Sequence, residues 1–270
     1  MNALFRFDST FDGLLTAVFD AYSRRTFPDL LLPEGEPLPL FHGEPHTVVT
    51  DPVKAERVWK GLQQKLSPSA LTCLMQCWLA EEPDTPMLLF RYIRKAINAP
   101  RSIETNFADA DVLAFSRMWK RVDWERNRLM QFIRFQKAAD GTYFAAVEPE
   151  KNALPLIVEH FRDRFADQTW LIYDIRRAYG YYYDKVEVRE VSFEPTDRTR
   201  HLVTGRLDDA MMDKDERLFR QLWQSYFKAV CIKERLNPRK HRQDMPVRYW
   251  KHLTEKQNQS VETEPTVGEG

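Results

Sequence analysis

The feature that most constrains this chain is a change in the spacing of its apolar residues near position 131. Up to that point apolar residues recur every three or four positions. In "ADVLAFSRMWKRVDWERNRLM", within a helix expected over 108–130, they are Val112, Phe115, Met118, Trp119, Val122, Leu129 and Met130. Beyond it, "QFIRFQKA", an Asp140-Gly141 turn and "TYFAAVEP" alternate every second residue, the pattern of a β-hairpin. One element cannot satisfy a period of about 3.6 and a period of two at once. The chain therefore divides into a helical first part and a strand-bearing second part.

The second part continues with "ALPLIVEHFRDRF", an amphipathic helix, and then "TWLIYDIRR" and "YYYDKVEVREVSF" as a second strand pair around Gly180. The order β-β-α-β-β predicts an antiparallel sheet covered on one face by a helix. "DKDERLFRQLWQSYFKAVCIKERL" predicts a long C-terminal helix. In the first part, "LFRF" reads as a short strand before a helix capped by Ser9 or Thr10, with Leu14, Leu15, Val18, Phe19 and Tyr22 on one face. Prolines 28, 33, 37, 39 and 45 then argue against regular structure, and "HTVV" reads as a short strand. Further helices start at Asp51-Pro52 and Ser67-Pro68, and "MLLFRYIRKAINA" makes another that ends at Pro100. The expected class is α+β, organised as an α-rich region with a short strand (1–107), an α+β region with two hairpins and the C-terminal helix (108–254), and a polar tail without fixed structure (255–270).

With 43% hydrophobic and 13% aromatic residues in 270, a packed core is expected. No apolar run reaches the eighteen or so residues of a membrane span, and the N-terminus lacks the pattern of a signal peptide. Three cysteines make no disulfide framework, so a reducing, cytoplasmic location is expected. Charge is balanced overall, 40 Lys+Arg against 40 Asp+Glu, but unevenly placed. Residues 1–90 hold 7 Lys/Arg and 12 Asp/Glu, whereas residues 91–254 hold 32 and 24. A polyanion contact is thus permitted, but only a local one.

Cofactor motifs are missing. Cys73 and Cys77 form C-x-x-x-C, the start of a radical-SAM cluster motif, but position 80, where the third cysteine belongs, is Ala. Glycine-rich phosphate loops, G-x-S-x-G and H-E-x-x-H are absent, and the six histidines are scattered. No cofactor or metal is expected.

Three groups of residues carry candidate chemistry. His160, on the helix between the hairpins, and Asp174, near a strand end, could together form an oriented general base. Alternatively His160 is a helix-face residue and Asp174 pairs with Arg176 or Arg177. In "IRRAYGYYYDK" the cations Arg176 and Arg177 stand beside Tyr181, Tyr182 and Tyr183, a combination that suits phosphate contact and base stacking. Successive strand residues face opposite ways, so at least one tyrosine belongs to the core. Finally, "NPRKHRQDMPVRYWKHL" at 237–253 places Lys240, Arg242, Arg248 and Lys251 around Tyr249 and Trp250. Its first half suits the cationic end of a helix. Its second half suits either a docked clasp, marked by a buried Trp250, or a contact surface with Trp250 open to solvent.

Four segments carry a resemblance to one bacterial family: "FDSTFDGLLTAVFDAY" (7–22), "VVTDPVKAERVWKGL" (48–62), "FIRFQKAADGTYFAAVEPEKNALPLIVEHFRDRFADQTWLIYDIRR" (132–177) and "ERLNPRKHRQDMPVRYWKHL" (234–253). Asn152, His160-Phe161, Asp174, Asn237-Pro238 and Arg248-Tyr249-Trp250-Lys251 mark it most specifically. The chain resembles DNA-metabolism proteins built on a domain of unknown function. These are encoded beside a radical-SAM protein of DNA repair or modification, and some are fused to a uracil-DNA glycosylase-like domain. The family's His-Arg pair ahead of Gly-Phe is here Asn127-Arg128 and Gln131-Phe132. The resemblance implies a factor that binds DNA or presents it to the radical-SAM partner. Two other classes stay open: an enzyme acting directly on DNA bases, and a protein-interaction scaffold.

Overall fold

The computed structural model describes residues 3–40, 43–193, 207, 212–216, 240, 242 and 244–253. The chain forms two compact units, Met1–Asp123 and Trp124–Gly270.

In unit 1, β1 (Leu4–Phe7) is the central strand of a three-stranded parallel sheet, between β2 (Leu30–Pro33) and β3 (His46–Thr47). Helix α1 (Phe11–Arg24) starts at Thr10, whose side chain accepts the Gly13 N–H, and buries Leu14, Leu15 and Val18. The proline-rich stretch is not devoid of regular structure as expected: β2 lies inside it. An edge strand tolerates a terminal proline, and Pro33 closes β2 on the sheet edge. Helices α2 (Pro52–Gln63) and α3 (Pro68–Trp78) begin at their Asp51 and Ser67 caps, each with proline in the first turn. Helix α4 (Thr85–Asn98) buries Leu88, Leu89, Tyr92 and Ile93. Cys77 is buried and its thiol is pushed up by that burial, the setting of a core cysteine.

One buried carboxylate makes this unit acid-sensitive. Asp20 on α1 is 7% exposed and accepts from Lys54 Nζ (2.8 Å) and His46 Nε2 (2.9 Å). Burial alone would raise it, but the bonds from Lys54 and His46 hold it below its ordinary 3.8. Its folded value is depressed, so its contribution is present above about pH 4 and is lost as pH falls through the folded value. Urea midpoints followed from pH 6 to pH 2 should therefore fall more steeply in the native chain than in Asp20→Asn.

Helix α5 (Ala110–Phe132) ends in unit 2 and is followed by the five-stranded sheet: β4 (Gln136–Lys137), β5 (Tyr143–Val147), β6 (Trp170–Asp174), β7 (Tyr179–Tyr183) and β8 (Val188–Ser192), in that order across the sheet. Helix α6 (Val158–Arg164), preceded by a 3₁₀ turn at Leu154–Leu156, lies between β5 and β6 in the chain. The α+β class holds, with one correction to the pairing. The β4–β5, β6–β7 and β7–β8 ladders are antiparallel, but β5 and β6 run parallel, with Tyr143 opposite Trp170 and Val147 opposite Asp174. The α6 crossover returns the chain to the same end of the sheet, which a hairpin cannot do. "YYYDKVEVREVSF" also folds back on itself, supplying two strands instead of one.

Ala145, Val147, Leu154, Ile157, Phe161, Trp170, Ile172 and Tyr183 form the core on one face of this sheet. On the other face the Tyr173 ring lies over Gly180, where a Cβ would come within 3.0 Å of it and 2.4 Å of the Ile172 carbonyl oxygen. Most of the expected C-terminal helix, and all of the tail expected at 255–270, lie outside the described residues. No helix among the described residues is long and apolar enough to cross a membrane.

Candidate nucleic-acid interface

Because β5 and β6 are parallel, their carboxyl ends meet on one edge of unit 2, and several of the candidate residues meet there. Asp174 closes β6 and is fully buried. Its Oδ1 accepts the backbone N–H groups of Arg176 (2.9 Å) and Arg177 (3.2 Å), and its Oδ2 accepts from Arg177 Nη1 (2.9 Å). The Arg177 guanidinium also donates to the Pro149 and Glu150 carbonyls (3.1 and 3.2 Å), and Arg176 Nη1 donates to the latter (3.3 Å). Burial raises the Asp174 carboxyl above its ordinary value, opposed by Arg177 and the two N–H groups. The arrangement ties the exits of β5 and β6 together. Beside it, the Tyr179 hydroxyl donates to Asn152 Oδ1.

His160 stands on the exposed side of α6, edge-on to Phe161. The hydrogen bonds of Asp174 go to Arg176 and Arg177, so the fold does not join His160 and Asp174 as a pair.

The segment Val247–His252 is a short 3₁₀ run docked on the same unit. Tyr249 is 5% exposed and its ring lies 5.5 Å from that of Phe132. Arg248 reaches Glu125 Oε2 through Nη2 (2.5 Å) and Glu150 Oε1 through Nη1 (2.6 Å), with its guanidinium 4.9 Å from the Tyr249 ring centroid. Glu125 is almost wholly buried, and its other oxygen accepts the Glu150 N–H (2.8 Å). Lys251 pairs with Glu148, and Leu253 is fully buried. The segment is a clasp. Its aromatic anchor is Tyr249, whereas Trp250 is half-buried and donates to the Met245 carbonyl (3.0 Å). Lys240 is exposed and pairs with Asp244 (3.1 Å), and Arg242 is exposed.

The tyrosine run divides as strand alternation requires. Tyr183 is buried, its ring 5.4 Å from that of Trp170 and its hydroxyl on the Ala166 carbonyl (3.2 Å). Tyr181 faces the same way and donates to Glu190 (3.1 Å); burial and that carboxylate push its hydroxyl up to about 12. Tyr182 points to the opposite face. It is half-buried and lines a polar hollow of about 440 Å³ with Thr142, Gln168, Thr169 and Lys185, at the end of the sheet away from Asp174. Sequence reasoning missed Glu125, Glu148 and Glu150, single acids with no local pattern to mark them. It also missed Gln168, which only the strand register brings to Tyr182, and did not single out Lys185, three residues further along the chain.

A family model described as domain of unknown function DUF4130 matches residues 83–255. No curated protein matches. A solved structure titled pGpG-specific phosphodiesterase PggH, from Vibrio cholerae, aligns over 84% of this chain and 99% of its own at 10% identity and a TM-score of 0.34, too low to carry an argument.

Proposed function

We propose that this chain, which belongs to the DUF4130 family, is a DNA-metabolism factor that binds DNA and presents it to a radical-SAM partner. The observation that carries the reading is Tyr182 beside Lys185 on an open polar hollow. Single-strand binders combine stacking rings with cations for the phosphates; here Tyr182 offers the ring, and the exposed Arg176 and Arg242 of the same unit offer cations outside the hollow. Arg177, Arg248 and Lys251 are engaged with carboxylates of their own unit. Lys240 is likewise paired, with Asp244. The proposed contact surface accordingly comprises Tyr182 and Lys185 of the hollow, the exposed Arg176 and Arg242, and the half-buried Trp250. Direct base excision through His160 and Asp174 is disfavoured, because the carboxylate is enclosed by arginine and the imidazole stands apart from it.

The test is fluorescence anisotropy with single- and double-stranded oligonucleotides between 50 and 200 mM salt. Neutralising about three phosphates of a single strand should give a slope of about −2 in log K against log salt. Co-purification with the radical-SAM protein encoded nearby, with and without DNA, tests the partner. Salt-insensitive or undetectable binding to both oligonucleotides would leave the scaffold reading in its place.

A further inference from the structure

We propose that the Tyr182 hollow is a nucleobase site, one that holds a single base by its ring face and by its hydrogen-bonding edge. The inference rests on the DNA-binding reading only for the source of the base. The hollow's 440 Å³ falls within the roughly 300–1,000 Å³ usual for small-ligand sites. It is built between the β4–β5 turn, the entry to β6 and the end of β7.

Three features of this hollow point to a base. Tyr182 is a fixed platform, because its backbone is paired on both sides, opposite Leu171 in β6 and Arg189 in β8. A ring held this way stacks a planar ligand with little loss of its own freedom. The surrounding polar side chains are also unspent. The hydroxyls of Thr142, Thr169 and Tyr182, the Gln168 carboxamide and the Lys185 ammonium have no hydrogen-bond or ion-pair partner among the described residues. Thr142, Gln168, Thr169 and Tyr182 are half-buried and Lys185 is exposed, so a ligand can replace the water that these groups otherwise hold. Gln168 in particular offers a donor and an acceptor side by side, the pattern that reads an adenine edge.

Charge narrows the ligand further. Asp140 and Asp167 also line the hollow, against the one ammonium of Lys185. Two carboxylates and one cation repel a polyphosphate, so binding is driven by the base and a ligand brings at most one phosphate. Affinity here is therefore expected to be nearly independent of salt, unlike the phosphate-driven binding of a long strand.

The probes are deoxyadenosine, deoxyadenosine monophosphate and an eight-residue deoxyadenosine oligonucleotide, titrated into the full chain by calorimetry and ligand-observed NMR. Stacking on one ring is worth about 1–3 kcal/mol, so Tyr182→Ala should weaken the affected probe by about fivefold to over a hundredfold, while Tyr182→Phe, which keeps the ring and loses only the hydroxyl, should retain most of the affinity. Gln168→Ala should weaken deoxyadenosine and narrow its advantage over thymidine, titrated as the control nucleoside. Lys185 has φ 78°, a backbone that glycine adopts without strain, so Lys185→Gly removes the cation and preserves the turn. It should weaken the monophosphate more than the nucleoside. A tenfold loss for nucleoside and nucleotide identifies a free-nucleotide site, and the same loss for the oligonucleotide alone identifies a base within a strand. The proposal is overturned if no probe binds, or if Tyr182→Ala and Gln168→Ala leave every affinity unchanged. Oligonucleotide binding that persists unchanged in Tyr182→Ala, with nucleoside and nucleotide unaffected as well, overturns the base site while leaving DNA binding intact.

Discussion

Replacing Arg248 with alanine should cost unit 2 about 3 kcal/mol and release the C-terminal clasp. The guanidinium is the partner of Glu125, whose side chain is 3% exposed, and removing one member of a buried pair leaves the other charge without compensation. The typical loss is about 3–5 kcal/mol, and the retained Glu150 N–H on Glu125 places this case at the lower end. Urea unfolding gives the magnitude. Hydrogen exchange over residues 247–253 gives the mechanism, since amides there should exchange faster well before the sheet does. Glu125→Gln keeps a polar partner and should lose less. A double-mutant cycle between the two positions should return a coupling of about 1–3 kcal/mol. Additive single effects would mean that Tyr249, not the ion pair, holds the segment down.

Asp174→Ala should be at least as damaging, by about 3–5 kcal/mol, because it strips the enclosed Arg177 of its carboxylate and two backbone N–H groups of their acceptor. Asp174→Asn keeps an acceptor and should be much milder. The two variants also differ in their pH dependence. A carboxyl whose folded value is raised favours the folded state most when protonated, so the contribution is full at low pH and is lost as pH rises through the folded value. Stability of Asp174→Asn relative to the native chain should therefore improve as pH climbs from 3.8 upward. Thermal denaturation between pH 3 and pH 8 checks this. If Asp174→Ala instead folds with native stability and loses only a DNA-linked activity, the aspartate is a functional group and the strand tie is incidental.

Local chemistry made most of the elements legible. Thr10, Asp51 and Ser67 are helix caps because a short oxygen reaches the first free N–H groups, a rule that needs only neighbours in sequence. The Asp140-Gly141 turn works the same way, with Gly141 at φ 86°. The parallel pairing of β5 and β6 was the element missed, although its signal was present: the connection from Val147 to Trp170 contains a helix, and such crossovers join parallel strands.

The candidate residues were harder to read than the elements. Alternation required one of the three consecutive tyrosines to be buried, but did not say which; the register opposite Trp170 put Tyr183 inside and Tyr182 outside. Likewise the arginines and the aromatic pair near the C-terminus marked a place of interest, while their partners lie about a hundred residues away in sequence (Glu148 and Glu150) or further (Glu125).

The sequence by itself determined where most helices and several of the strands begin, that two periodicities divide the chain, and that "PVRYWK" carries rings a solvated end does not need. Only the tertiary structure decided what the cations of that stretch do. An ion pair between residues distant in sequence depends on which strand ends meet, and that is set by the β5–β6 crossover and not by any local preference. Hence Arg248 and Lys251 became members of a clasp. Polar groups without partners among the described residues line the Tyr182 hollow, at the opposite end of the sheet.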